Sequence, residues 1–236
     1  MPIREDEQIL DDILRTILQG KFKDNERLPS ESAFVAYYNS PRMTVRKALL
    51  KLEDMGYIYS KQGKGRFLKP KRKQIELHLT GKSSFNEKMR NAGYDLTTQN
   101  LGYVRLPYEE GIYSKLQVKE DVFKISRLHF IDNEPAVLHI SYVAKAVLPE
   151  IEKHGDDIQS MFEYYSKQGF TEFSSSKSKV SVSLPTSIEC SLFGCSPLVP
   201  LLVVESDCKE KHENKMLEYR KMIYRSDYFS YVITGE

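Results

Sequence analysis

Residues 28–69 read LPSESAFVAYYNSPRMTVRKALLKLEDMGYIYSKQGKGRFLK, and two helix starts, a glycine stop and a glycine turn follow one another within them. Ser30, after Leu28 and Pro29, predicts an N-cap, because its hydroxyl can accept from a backbone N–H that the first helical turn leaves unpaired. The short helix it opens carries Ala33, Phe34 and Tyr37 and stops near Asn39. Ser40 and Pro41 predict a second start, with serine as the cap and proline in the first turn, where no N–H is required. That helix runs from Pro41 to about Met55, with Val45, Ala48, Leu49, Leu52 and Met55 as its inward stripe, and Gly56 closes it. Arg42, Met43, Thr44, Arg46 and Lys47 are left for another surface near its N-terminal end.

Upstream, Glu5 to Gln19 places Ile9, Leu10, Ile13, Leu14, Ile17 and Leu18 at helical spacing, and Gly20 follows as a C-terminal stop. Downstream, Tyr57–Lys61 predicts a strand, Gln62-Gly63-Lys64-Gly65 a turn, and Arg66–Lys69 the returning strand. Two helices joined by a tight turn, the second basic and hydroxyl-bearing at its start, is the arrangement that major-groove reading needs. A groove about 12 Å wide admits one helix, whose N-terminal side chains reach base edges. Behind it the hairpin forms a wing. Lys64 and Arg66 there suit phosphate or minor-groove contact, and Gly63 permits close backbone approach.

Charge is distributed to match. The net +2 divides into 16 Lys and Arg against 10 Asp and Glu over residues 1–73, and 19 against 23 over the remainder. Within 42–73 the count is 11 against 2, an electrostatic footprint suited to phosphate. With 40% hydrophobic and 29% charged residues, the composition is globular. Asp11 and Asp12 interrupt the N-terminal apolar residues and no 18-residue apolar run occurs, so no membrane association and a cytoplasmic location are expected. Cys190, Cys195 and Cys208 lack C-x-x-C spacing and read as buried or free thiols. The five histidines lack metal-ligand spacing, and no cofactor or metal is expected.

Leu28-Pro29-Ser30-Glu31, Arg42-Met43-Thr44-Val45-Arg46-Lys47-Ala48-Leu49, Leu52, Gly56 and Gly63-Lys64-Gly65-Arg66-Phe67 together resemble the GntR family signature, over roughly residues 5–69. The resemblance implies that Arg42 and Arg46 contact operator DNA, that Thr44 offers a hydroxyl to phosphate or base, and that Gly63 brings the wing to the minor groove. Lys47, Lys64 and Arg66 complete the expected DNA-binding set. Ser32 and Pro41 depart from the usual arginine and serine of the family at their positions.

Lys69-Pro70-Lys71-Arg72-Lys73 separates the basic part from the acidic part. The expected division is a winged helix-turn-helix over 1–69, a linker over 70–77 and a second domain over 78–236. Ser84 and Glu87 have capping-box spacing, as do Thr186 and Glu189. From Val122 the chain alternates, with Phe123, Ile125, Arg127, His129 and Ile131 on one face; Asp132-Asn133-Glu134-Pro135 turns it, and Ala136–Val143 returns. A helix is predicted over about 157–168, and strands over 198–208 and 216–225. Hairpin-like connections predict an α+β domain with a largely antiparallel sheet.

Ser84-Phe85, Arg127 before Asn133-Glu134-Pro135, Ser141-Tyr142-Val143, Met161-Phe162, Glu218-Tyr219-Arg220 and Tyr224-Arg225-Ser226-Asp227 resemble the UTRA domain of the HutC branch of GntR regulators. The resemblance implies a chorismate-lyase-like sheet, a pocket for a small metabolite and a homodimer. It places Ser84, Phe85, Arg127, Ser160, Phe162, Glu218 and Tyr224 at effector-contacting positions. His129 stands where sugar-phosphate-sensing relatives carry a second arginine, and His139 where they carry glutamate. Both read either as pocket residues or as neutral core histidines. Arg127 reads either as a clamp for an anionic effector or as half of an internal ion pair with Glu218.

The expected function is a repressor on a pseudo-palindromic double-stranded operator, modulated by a small polar or anionic metabolite. No nucleophile–base–orienter pattern supports an enzyme. A ligand-free chromosome-associated protein would leave the acidic two-thirds of the chain without a role.

Overall fold

The structure is a computed structural model that describes residues 4–70, 74–78 and 84–232. The basic run Lys71-Arg72-Lys73 lies outside the described residues. The chain divides into two compact units, 1–73 with 184–199, and 74–183 with 200–236.

The first unit begins with α1 (Glu5–Leu18), α2 (Glu31–Tyr38) and α3 (Arg42–Asp54), followed by the hairpin β1 (Ile58–Lys61) and β2 (Gly65–Leu68). Ser30 caps α2 as its position predicts, accepting from the Ala33 N–H, and Asn39 ends the helix at a φ of 49°. Ser40 does not cap α3. Its hydroxyl binds the Glu5 carboxylate and donates to the Tyr38 carbonyl at 3.1 Å, tying α1 to the interhelical turn, and Pro41 takes the cap position without a side-chain bond. Ile9, Ile13, Ile17, Phe34, Val45, Leu49 and Leu52 share one core with Ile58 and Leu68 of the hairpin.

The unit is completed by a segment distant in sequence. Residues 184–199 carry α8 (Ser187–Phe193), opened by a full capping box between Thr186 and Glu189. The Leu198 N–H donates to the Asp54 carbonyl at 3.2 Å. Gly56 ends α3 at a φ of 77°, and a Cβ there would stand 2.8 Å from Val199 Cγ2.

The second unit holds a seven-stranded sheet of antiparallel pairs in the order β4 (Leu96–Leu106), β5 (Val122–Ile131), β6 (Glu134–Ala144), β10 (Met216–Arg225), β9 (Leu201–Glu210) and β7 (Phe173–Ser174), with β8 (Ser178–Ser183) also on β9. A parallel pair joins β3 (Ile75–His78) to β11 (Phe229–Val232), so β3 takes up the last three residues of the stretch expected as linker. Around the sheet lie α4 (Phe85–Asn91), α5 (Glu110–Leu116), α6 (Ile151–His154), a 3-10 turn at Gly155–Asp157, and α7 (Met161–Lys167).

Alternation along the strands sorts the two faces. Phe123 and Ile125 bury against Leu148, Ile151, Ile158, Met161 and Tyr165, whereas Val122 and Tyr219 meet Ile112, Tyr113 and Leu116 of α5. Arg127 on β5 is opposite His139 on β6, His139 opposite Met222 on β10, and Met222 opposite Val204 on β9. The neighbouring row places Ser141 opposite Arg220 and Arg220 opposite Ser206. These two rows set polar side chains in the middle of an otherwise apolar face.

Candidate functional site

A cavity opens over those rows. Seven of the residues singled out in the sequence line it: Ser84, Phe85, Arg127, His139, Ser160, Phe162 and Tyr224. His129 and Glu218 are in the protein behind the lining. His129 is buried, with Nδ1 2.9 Å from Thr98 Oγ1 and its ring 5.2 Å from that of Phe85. Lys88, Ser206, Arg220 and Met222 also line the cavity and were not among the expected effector contacts. The signal for Arg220 lay in the strand period, since 218, 220, 222 and 224 share one face.

A third residue stands between Arg127 and Glu218. Arg127 Nη2 donates to Ser141 Oγ, and Ser141 Oγ donates to Glu218 Oε1. Tyr165 donates to the other carboxylate oxygen at 3.0 Å. All four side chains are buried. His139 Nε2 is 3.6 Å from Glu218 Oε1, beyond hydrogen-bond reach, and both it and Arg127 Nε are buried without a hydrogen-bond partner.

Burial governs the protonation of this cluster. It lowers His139 to about 4, with the Arg127 charge adding to the effect. His129 is pushed well below its ordinary value by burial, then by His139 and Arg127. Burial acts the opposite way on Glu218, but His139, Arg220 and Arg127 outweigh it and hold the carboxyl below the usual range. We read the coupled pair as a carboxylate beside a neutral imidazole, because one desolvated negative charge already has the two arginines near it. The cluster thus leaves one imidazole nitrogen and one guanidinium nitrogen buried at the cavity wall without a hydrogen-bond partner.

In the first unit, Arg46 and Lys47 are exposed on α3, Thr44 is half-buried, and Lys64 is exposed at the wing tip. Gly63, at a φ of 70°, has open space where a Cβ would stand. Arg42 is exposed but its Nε donates to Glu31 at 2.7 Å. Arg66 differs from the others: it lies 3.3 Å from Glu31 and 3.9 Å from Glu53, and only 19% of its side chain is exposed. It braces the wing against α2 and α3. None of the three cysteines is in a disulfide, and among the described residues no group of His, Cys, Asp or Glu is placed to hold a metal.

A winged helix-turn-helix in one unit and a polar cavity on an antiparallel sheet in the other define a DNA-binding transcription regulator with an effector domain. Residues 5–68 match the bacterial regulatory proteins of the gntR family, and residues 91–230 match the UTRA domain. The chain belongs to the GntR family and carries a UTRA domain. It is similar to the HTH-type transcriptional repressor NagR of Bacillus subtilis (strain 168), 26% identical over 229 residues that cover 95% of this chain and 92% of that protein. It is also similar to the HTH-type transcriptional regulator TreR of the same organism, 32% identical over 158 residues, 66% of each. The crystal structure of PhnF from Mycobacterium smegmatis shares the fold, with a TM-score of 0.62, 19% identity and coverage of 97% of this chain and 99% of that one. Among the described residues no helix is long and apolar enough to cross a membrane.

Proposed function

We propose that the chain is a repressor that holds its operator as a homodimer, and that a small polar or anionic metabolite in the cavity of the second unit changes that binding. The observation that carries the effector half is the pair of buried, unsatisfied nitrogens, His139 Nε2 and Arg127 Nε. Burying polar atoms without partners costs about 1–3 kcal/mol each, a cost that a ligand hydrogen bond would offset. NagR is named a repressor, and an Escherichia coli relative is named a repressor of a mannosyl-D-glycerate transport/metabolism system; both names favour repression, and the second favours a polar metabolite as signal.

Arg42, Thr44, Arg46 and Lys47 on α3, with Gly63 and Lys64 of the wing, form the proposed DNA surface. The Arg42–Glu31 pair is solvent-exposed on the arginine side, so a phosphate can replace Glu31 at small cost. Arg66 then supports the wing more than it touches DNA. Two heads related by a two-fold axis require a pseudo-palindromic site.

Gel-shift titration against the promoter region of the chain's own gene, with a metabolite panel, tests both halves together. Specific binding that one polar metabolite weakens at least tenfold is the expected result. Equal binding to random DNA would overturn the operator half. Specific binding and thermal unfolding both indifferent to the whole panel would overturn the effector half.

A further inference from the structure

The cavity wall holds a cation that the Arg127–Ser141–Glu218 relay does not use. Arg220 projects from β10 opposite Ser206 of β9, and its Nε donates to Ser206 Oγ at 2.8 Å. Its guanidinium carbon is 5.9 Å from the centroid of the Phe162 ring. Among the described residues no carboxylate is within ion-pair distance of it. Glu218, two residues before it on the same face, is taken by Ser141 and Tyr165.

Its neighbours register the charge. Lys88, which lines the same cavity from α4, has its ammonium lowered by burial first and by repulsion from Arg220 second. Arg127 is likewise disfavoured as a cation by burial, and Arg220 adds to that. Among the described residues, two arginines against one buried carboxylate leave positive charge in excess in a partly desolvated space. Such an excess is retained at a cost to folding unless something of opposite sign enters. A guanidinium anchored through Nε keeps its two terminal nitrogens as a fork that matches an oxyanion edge. The serine hydroxyl fixes the fork in place.

We propose that Arg220, with Lys88 and Ser206, forms an oxyanion subsite that takes a phosphate or carboxylate group of the effector, leaving Arg127 and His139 for its uncharged polar end. This rests on the reading of the cavity as the effector site and assigns the second cation of the pocket to β10. His129, on β5, is neutral and behind the wall, so β5 supplies only Arg127. The effector therefore spans the sheet face from β10 toward β5.

The test uses the full-length chain and inorganic phosphate, followed by 31P line broadening at fixed ionic strength. Saturable broadening is expected in the unmodified protein, weakened at least tenfold in Arg220→Gln and severalfold in Lys88→Gln, and unchanged in Lys153→Gln. The last removes the same charge from an exposed pair with Glu150. Displacement of phosphate by acetate would assign a carboxylate-tolerant subsite, and failure to displace would assign a phosphate-selective one. Broadening that Arg220→Gln leaves intact, or that Lys153→Gln reduces equally, overturns the proposal. If Arg220→Gln keeps both phosphate binding and metabolite-driven release of DNA, the subsite falls while the effector cavity stands. If no metabolite acts on the unmodified protein but phosphate binding depends on Arg220, the subsite stands and the effector reading falls.

Discussion

Arg127 and Glu218 do not touch; the Ser141 hydroxyl stands between them, accepting from the guanidinium and donating to the carboxylate. A direct ion pair would satisfy both charges by itself, whereas this relay makes two buried charges depend on one small neutral group. Ser141→Ala removes that group and leaves a guanidinium nitrogen and a carboxylate oxygen unpaired in a buried site. The expected loss is about 3 kcal/mol of unfolding free energy, read from the midpoint of urea denaturation. A loss below about 1 kcal/mol would mean that water or a side-chain shift bridges the gap.

Stability should also fall in mild acid. Burial lowers His139 to about 4 and His129 well below its ordinary value, whereas in the unfolded chain both titrate near 6.5. Below pH 6.5 the unfolded state therefore binds protons that the folded state refuses. Stability is full above that pH and declines as pH drops toward 4. For His139 alone the whole span is worth about 3 kcal/mol, and about 2 kcal/mol is already lost at pH 5. Urea unfolding at pH 7.5 and pH 5 should show the drop, and His139→Gln should reduce it. An identical pH dependence in that variant would remove His139 from the account.

The same cluster illustrates what is readable in a sequence and what is not. The alternation from Phe123 to Ile131 identifies the buried face of β5 because β6 beside it and the helices above are apolar, so the pattern is strong. β4 carries Leu96, Thr98 and Asn100 toward the same face, but it is an edge strand with polar alternation and gives little signal. β3 lies where a connection was expected because its pairing partner β11 is some 150 residues away, and non-local pairing leaves no local mark. The capping-box spacing of Thr186 and Glu189 does open a helix, Ser187–Phe193, yet the membership of residues 184–199 in the first unit depends on contacts at Asp54 and Gly56 that no periodicity reports. Ser141 was part of a recognised motif, but its role as a relay appears only when β5, β6 and β10 are laid side by side.

Gly56 and Gly63 both adopt positive φ, but their surroundings differ, and substitution should separate backbone strain from crowding. Gly63→Ala meets open space and pays only the left-handed penalty, about 1 kcal/mol. Gly56→Ala pays that and also drives a methyl to 2.8 Å from Val199 Cγ2, adding about 1–3 kcal/mol. Thermal unfolding of the two single variants, and of Gly56→Ala combined with Val199→Ala, measures the difference. The double variant should recover part of the crowding term. Equal destabilisation by the two alanines would show that Val199 does not pack on the end of α3.

Arg46 and Arg66 carry the same charge within one basic stretch, and their environments assign them different work. Arg46 is exposed on α3, so Arg46→Ala should cost about 1–3 kcal/mol of operator affinity with no change in thermal stability. If its contact is to phosphate, the slope of log K against log salt should also become shallower by about 0.9. Arg66 is held by Glu31 and Glu53, so Arg66→Ala cuts the tie between the wing and α2, weakens the one to α3, and takes a cation from two carboxylates near the proposed DNA surface. That variant should lose both stability and affinity, and Arg66→Ala combined with Glu31→Gln should regain more affinity than stability, because a repulsive charge is removed while the brace stays broken. Operator titrations at several salt concentrations, run beside thermal melts, distinguish the two roles. If Arg66→Ala weakens operator binding while its melt is unchanged, Arg66 is a DNA contact and the bracing role is wrong.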